Sequence, residues 1–122
     1  MKMNVDTYLE SLFADGLRND AIMKCRDSMM LNITPSTGIF LDLLISDSKP
    51  TRILELGTSN GYSTIWLARA AKRIGASIDT VDSSIKKLEH ASKNLVECEL
   101  NDVVTMHAVD CGDFLRQCVD HR

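Results

Sequence analysis

Between residues 52 and 63 the chain reads Arg52-Ile53-Leu54-Glu55-Leu56-Gly57-Thr58-Ser59-Asn60-Gly61-Tyr62-Ser63, and the next apolar run closes on Asp82. A carboxylate just ahead of a glycine-bearing turn, and another at the end of the following run, form an acceptor set suited to a polar nucleoside. Glu55 would hold a cation. The N–H groups around Gly57 and Gly61 can come close to a ligand because glycine has no Cβ, and a helix N-terminus beyond them favours an anion. Ser63 can donate its hydroxyl to a ligand carboxylate, or cap the first turn of that helix. Asp82 can accept from both hydroxyls of a ribose through strong charge-assisted bonds, or share with Ser83 and Ser84 the capping of the helix that follows. Asp110 and Cys111 end a third apolar run. There Asp110 can accept from an adenine amino group while the Cys111 N–H meets a ring nitrogen; equally, Asp110 or Asp113 can cap a helix.

Three chemistries compete for Gly57-Thr58-Ser59-Asn60-Gly61. A dinucleotide turn wants G-x-G-x-x-G with a pyrophosphate on the helix N-terminus. Ser59 and Tyr62 stand where two of those glycines belong, and the charge of Glu55 repels a pyrophosphate. A nucleophile elbow is matched literally by Gly57-x-Ser59-x-Gly61, but that fold needs strands and an oxyanion loop before the serine. Here only helical patterns precede it, and His107 falls inside a strand, as a packed residue. S-adenosylmethionine carries an ammonium, a sulfonium and a carboxylate but no phosphate, so a carboxylate at Glu55 becomes favourable. The expected cofactor is therefore S-adenosylmethionine, held by Glu55, Gly57, Thr58, Ser59, Gly61, Ser63, Asp82, Asp110 and Cys111. Tyr62 is expected to pack under the turn.

The elements that must position these residues follow from periodicity. The N-terminal segment, residues 1–50, reads as helical. One helix spans Val5 to Ala14, with Tyr8, Leu9, Leu12 and Phe13 on one face, and a second runs from about Asn19 to Leu31. Met23, Met29 and Met30 are expected to fill core space there, as methionine commonly does. Thr34-Pro35 opens a third helix with proline at its first position, and Ile39, Phe40, Leu43 and Leu44 form its expected buried stripe. From Thr51 short apolar runs alternate with helices, the mark of a parallel sheet. Strands are expected at Arg52 to Leu56, Ser77 to Val81 and Val103 to Val109. Helices are expected at Tyr62 to Ile74, Ser84 to Glu99 (with Ile85, Leu88, Ala91 and Leu95 inward) and Asp113 to Val119. Residues 51–122 thus form an α/β nucleoside-binding portion of the same domain.

Composition narrows the class. The 122 residues are 44% hydrophobic and 25% charged with a net charge of −3, as in a water-soluble globular domain and unlike a dedicated nucleic-acid binder. Lys86 and Lys87 belong to a solvated helix face. Cys25, Cys98, Cys111 and Cys118 form no C-x-x-C pair, and His90, His107 and His121 complete no zinc pattern, so free thiols in a reducing cytoplasm are expected. No signal peptide and no membrane-length apolar run is visible.

The whole pattern resembles the catechol and caffeoyl-CoA type O-methyltransferases, of the class I S-adenosylmethionine-dependent kind. Ile33-Thr34-Pro35-Ser36-Thr37-Gly38-Ile39-Phe40-Leu41 is similar to the family's lead into the helix before strand one. Ile53 to Ser63 is similar to its glycine motif, including the Gly-Tyr-Ser ending. Ala76 to Asp82 and Val104 to Cys111 resemble the second and third strands. The family usually has an acidic residue near Ser36-Thr37, and Gly-Asp-Ala where this chain has Val109-Asp110-Cys111. The resemblance implies a Rossmann-like methyltransferase fold, cofactor contacts at Glu55, Gly57, Ser63, Asp82 and Cys111, and methyl transfer to a hydroxyl of a small molecule. A non-catalytic cofactor-binding module is the alternative, with an NAD-dependent oxidoreductase behind it. A divalent metal such as Mg²⁺ is implied for the complete protein, with no ligand, general base or catalytic residue assignable here. The sheet order of the family leaves strand one as an open edge, an incomplete sheet. The expected outcome is self-association as a dimer or completion by a missing C-terminal part.

Overall fold

In the computed structural model, residues 4–23, 29–30 and 32–120 are described. The elements are α1 (Val5–Ile22), α2 (Pro35–Ser48), β1 (Arg52–Leu56), α3 (Tyr62–Ile74), β2 (Ser77–Asp82), α4 (Ile85–Glu97), β3 (Val104–Ala108) and α5 (Cys111–Asp120), with a 3₁₀ turn at Asn101–Val103. The strands form one parallel sheet in the order β1-β2-β3. Helices join consecutive parallel strands because a short turn cannot reverse the chain back to the same end of the sheet.

Local chemistry sets most boundaries. The Thr34 hydroxyl accepts from the Thr37 N–H at 3.2 Å and Pro35 opens α2, while Lys49 in the left-handed region ends it. Gly75, with φ 77°, ends α3. The Ser84 side chain accepts from the Lys87 N–H and starts α4. The core lies between the sheet and α3, built on Tyr62, Ile65, Trp66, Ala68, Ala71, Ile78 and Leu95, with Leu9 of α1 and Ile45 of α2 joining it.

Several expectations are corrected. The first helix does not end near Ala14. It runs to Ile22, and its Gly16 is buried against the side chains of Met30 and Asn32. A missing Cβ there lets the Asn32 and Met30 side chains come close. The second helix expected from Asn19 is not formed among the described residues: Asn19 to Ile22 end α1, Met23 is extended, and Met29 and Met30 are non-helical. Its remaining stretch, with Cys25, lies outside the described residues. In α2 the expected buried stripe faces outward, with Phe40 at 61% and Leu43 at 63% exposure and Ile39 and Leu44 about half-exposed. The opposite face is drawn in instead: Gly38 abuts the Trp66 ring, Ile45 is buried, and Asp42 pairs with Arg73 of α3 at 3.0 Å. In α4, Leu88, Ala91 and Leu95 are buried, but Ile85 is exposed.

Candidate functional site

The C-terminal ends of β1 and β2 carry the site. Register pairs Glu55 with Thr80, so their side chains share the sheet face that α3 covers. Glu55 accepts from three hydroxyls: Ser63 at 2.6 Å, Thr64 at 2.5 Å and Thr80 at 2.8 Å. Thr80 in turn lies 2.6 Å from the hydroxyl of the buried Thr58. Burial pushes the Glu55 carboxyl above its ordinary range; the three hydroxyls pull it back, and the neighbouring Asp82 charge adds to the rise. A cation brought close would favour the ionised carboxylate.

Asp82 spans two turns. One carboxylate oxygen accepts from the Ser59 N–H at 3.0 Å and the other from the Ser84 N–H at 2.8 Å. Each oxygen retains a further lone pair, so the ribose role and the turn-bracing role are compatible.

The glycines of the turn do different work. Gly57 has φ 92° and opens on free space, with nothing within 4 Å of where a Cβ would stand. Gly61 has φ 88°, and a Cβ there would lie 2.9 Å from the Ala91 Cβ of α4. Its role is close helix approach. The Gly57 N–H donates to the Val81 carbonyl at 2.7 Å and the Gly61 N–H to the Thr58 carbonyl at 3.1 Å, so neither is aimed at a ligand. Gly61 gives α3 no side-chain cap. The first-turn N–H groups at Ser63 and Thr64 have no intrahelical acceptor.

Tyr62 is 2% exposed beneath the turn, its ring centroid 5.7 Å from that of Phe13. Asp110 accepts from the Asp113 N–H at 3.1 Å, capping α5 with one oxygen. The Cys111 thiol points at the Val81 carbonyl, 3.7 Å away. Asp110 and Cys111 therefore follow β3 at the same end of the sheet as Asp82. His107 sits on the other sheet face, 3.0 Å from Asp79, its ring packed on Phe114.

Sequence reasoning missed Thr64, Thr80 and the contact between the turn and residues 29–30. The parallel register could have placed Thr80 beside Glu55; nothing local marks Thr64. Met23, Met29 and Met30, expected in the core, instead line a cavity of about 310 Å³ with Asn19, Ser59 and Asn60. The Ser59 hydroxyl donates to the Met30 carbonyl at 3.2 Å and the Asn60 amide reaches the Met30 sulfur at 3.3 Å. Among the described residues no group of three or more His, Cys, Asp or Glu is placed to hold a metal ion, so the divalent cation implied by the resemblance has no ligand set there. No helix of the described residues is long and apolar enough to cross a membrane.

Comparison with known proteins agrees with this geometry. Residues 54–121 match the family described as methyltransferase domain. Over 96% of its length the chain is 34% identical to a catechol O-methyltransferase of Niastella koreensis, spanning 54% of that protein. An O-methyltransferase from Bacillus cereus, solved in complex with SAH, superposes with a TM-score of 0.73 at 30% identity, covering 95% of this chain and 49% of that one. The O-methyltransferase TomG from Streptomyces achromogenes, solved with SAM, gives a TM-score of 0.74 at 29% identity, covering 96% and 48%. The chain thus spans about half the length of the relatives it matches.

Proposed function

The chain belongs to the methyltransferase domain family, and on that premise we propose that it binds S-adenosylmethionine as part of an O-methyltransferase acting on a hydroxyl of a small molecule. The observation that carries the reading is the pair of carboxylates, Glu55 and Asp82, on either side of a turn whose Gly57 opens on free space. That donor set suits a cationic nucleoside and opposes a pyrophosphate. Relatives solved with SAM or SAH support it.

Each residue then has a task. Glu55, held rigid by its three hydroxyls, faces the ligand's ammonium. The N–H groups of Ser63 and Thr64 take the ligand's carboxylate at the positive end of α3. Asp82 accepts from the ribose hydroxyls while bracing both turns, and Asp110 and the Cys111 N–H meet the adenine. When bound, S-adenosylmethionine supplies an electrophilic methyl group on sulfur. The protein contributes alignment of donor and acceptor and exclusion of water. We place the protein in the cytoplasm, with a hydroxyl-bearing small molecule as acceptor.

Calorimetry with SAH and with NAD tests the assignment. We expect SAH to bind in preference, and Asp82→Ala to weaken it at least about tenfold, roughly 1.4 kcal/mol. Preference for NAD, or SAH affinity untouched by Asp82→Ala, would overturn it. Turnover with a panel of catechols plus Mg²⁺ separates an enzyme from a cofactor-binding module.

A further inference from the structure

Behind the Glu55 carboxylate lies a chain of two hydroxyls sealed from solvent. Thr58 and Thr80 are each 0% exposed, their hydroxyl oxygens 2.6 Å apart, and the Thr80 oxygen stands 2.8 Å from Glu55 Oε1. A threonine hydroxyl has one proton to donate and two lone pairs to accept with. Among the described residues the Thr58 hydroxyl has no hydrogen-bond partner besides Thr80.

Two arrangements place a proton between each neighbouring pair of oxygens. In the first, Thr58 donates to Thr80 and Thr80 donates to an ionised Glu55, so both hydroxyl protons are used. In the second, a protonated Glu55 donates to Thr80 and Thr80 donates to Thr58. The Thr58 proton then has no acceptor, and a buried donor left without one is costly. The chain therefore prefers the charged carboxylate, against burial and the Asp82 charge, which both favour the neutral acid. The other two hydroxyls on Glu55 are freer. Ser63 and Thr64 lie in the first turn of α3, where such a hydroxyl can turn instead to a main-chain carbonyl of its own turn. Thr80 lies in a strand, its branched Cβ is stiff, and Thr58 occupies its other side.

We propose that Thr58 and Thr80 are positioning residues, a one-way hydroxyl chain that holds Glu55 as a carboxylate, with Thr58 acting wholly through Thr80. Thr58 thereby serves the site although its side chain is closed to any ligand. The consequence for binding rests on the reading that Glu55 faces a cationic ligand; the chain of hydroxyls does not.

The test is the pH titration of the Glu55 side-chain carboxyl in the unliganded chain, followed by carbon NMR, with SAH calorimetry over the same pH range. Thr58→Val and Thr80→Val replace a hydroxyl by a methyl group of similar size. Each should raise the Glu55 midpoint by at least about half a pH unit, as one lost hydrogen bond implies. Thr58→Ser and Thr80→Ser remove a methyl group but keep the hydroxyl, and should leave the midpoint near its parent value. A midpoint unmoved or lowered by Thr58→Val would overturn the proposal, as would serine variants that shift it as far as the valine variants do. Should the valine variants not fold, the unmodified chain decides. Its Thr58 Cβ resonance should follow the Glu55 titration with the same midpoint, because donation reverses along the chain, and a Thr58 signal indifferent to that titration overturns the proposal. Below both midpoints, SAH affinity in the valine variants should fall at least about threefold, the same shift read as binding. A raised midpoint with SAH affinity untouched would leave this inference standing and defeat the reading that Glu55 faces the ligand.

Discussion

The two flanks of β1 differ sharply. On the β2 side, a buried carboxylate is surrounded by three hydroxyl donors, a fourth hydroxyl stands behind Thr80, and the next aspartate holds two turns by their N–H groups. On the other side, the same five-residue strand has no neighbouring strand, and its Leu54 and Leu56 are half-exposed on the sheet face away from α3. A short strand can thus carry a hydrogen-bonded polar cluster on one side and uncovered apolar side chains on the other. Polar satisfaction is local, because each hydrogen bond needs only one partner in reach. Apolar burial is collective and needs a whole covering layer.

The comparison can be broken most forcefully at Gly61. Gly61→Val combines a left-handed backbone with a contact against Ala91, and we expect a loss of about 3 kcal/mol, the sum of a strained φ and an overpacked contact. Denaturant unfolding should show it as a lower midpoint at unchanged slope.

Glu55 sharpens the contrast through pH. Its folded carboxyl titrates above the ordinary value, so in the window between the unfolded and folded values the native state holds the extra proton. Stability without ligand should therefore fall as pH rises through that window. SAH binding should move the opposite way and tighten as Glu55 ionises opposite the ligand's ammonium. Glu55→Gln should flatten both trends, and melting and calorimetry across that window would reveal either failure.

The smallest effect should come from the open flank. Leu43→Lys on α2, where the side chain is 63% exposed, should change the stability of the chain alone by no more than about 0.5 kcal/mol, as for other surface substitutions. Denaturant unfolding of the two chains side by side checks it.

What the sequence disclosed follows the same division. The boundaries of β1 and α3 were legible because Pro50, Gly57 and Gly75 punctuate short apolar runs, and Thr34-Pro35 is a complete helix start. The buried face of α2 was not. Periodicity reveals that Ile39, Phe40, Leu43 and Leu44 form a stripe, but not whether anything lies against it. Contact with α3 was decided by Gly38 under the Trp66 ring and by the Asp42–Arg73 pair. The length of α1 was hidden for a related reason, since the packing of Gly16 against Asn32 and Met30 leaves no mark in the local pattern. Glu55 and Asp82 could be read from their places at strand ends. The cage around Glu55 depends on register between strands, which pattern alone leaves free.

Asp82 ties the Ser59 and Ser84 loops through separate oxygens, so one side chain braces both. On the function proposed above, a nucleoside arriving there would spend little of its affinity on organising loops, since that brace already links the rims it must bridge.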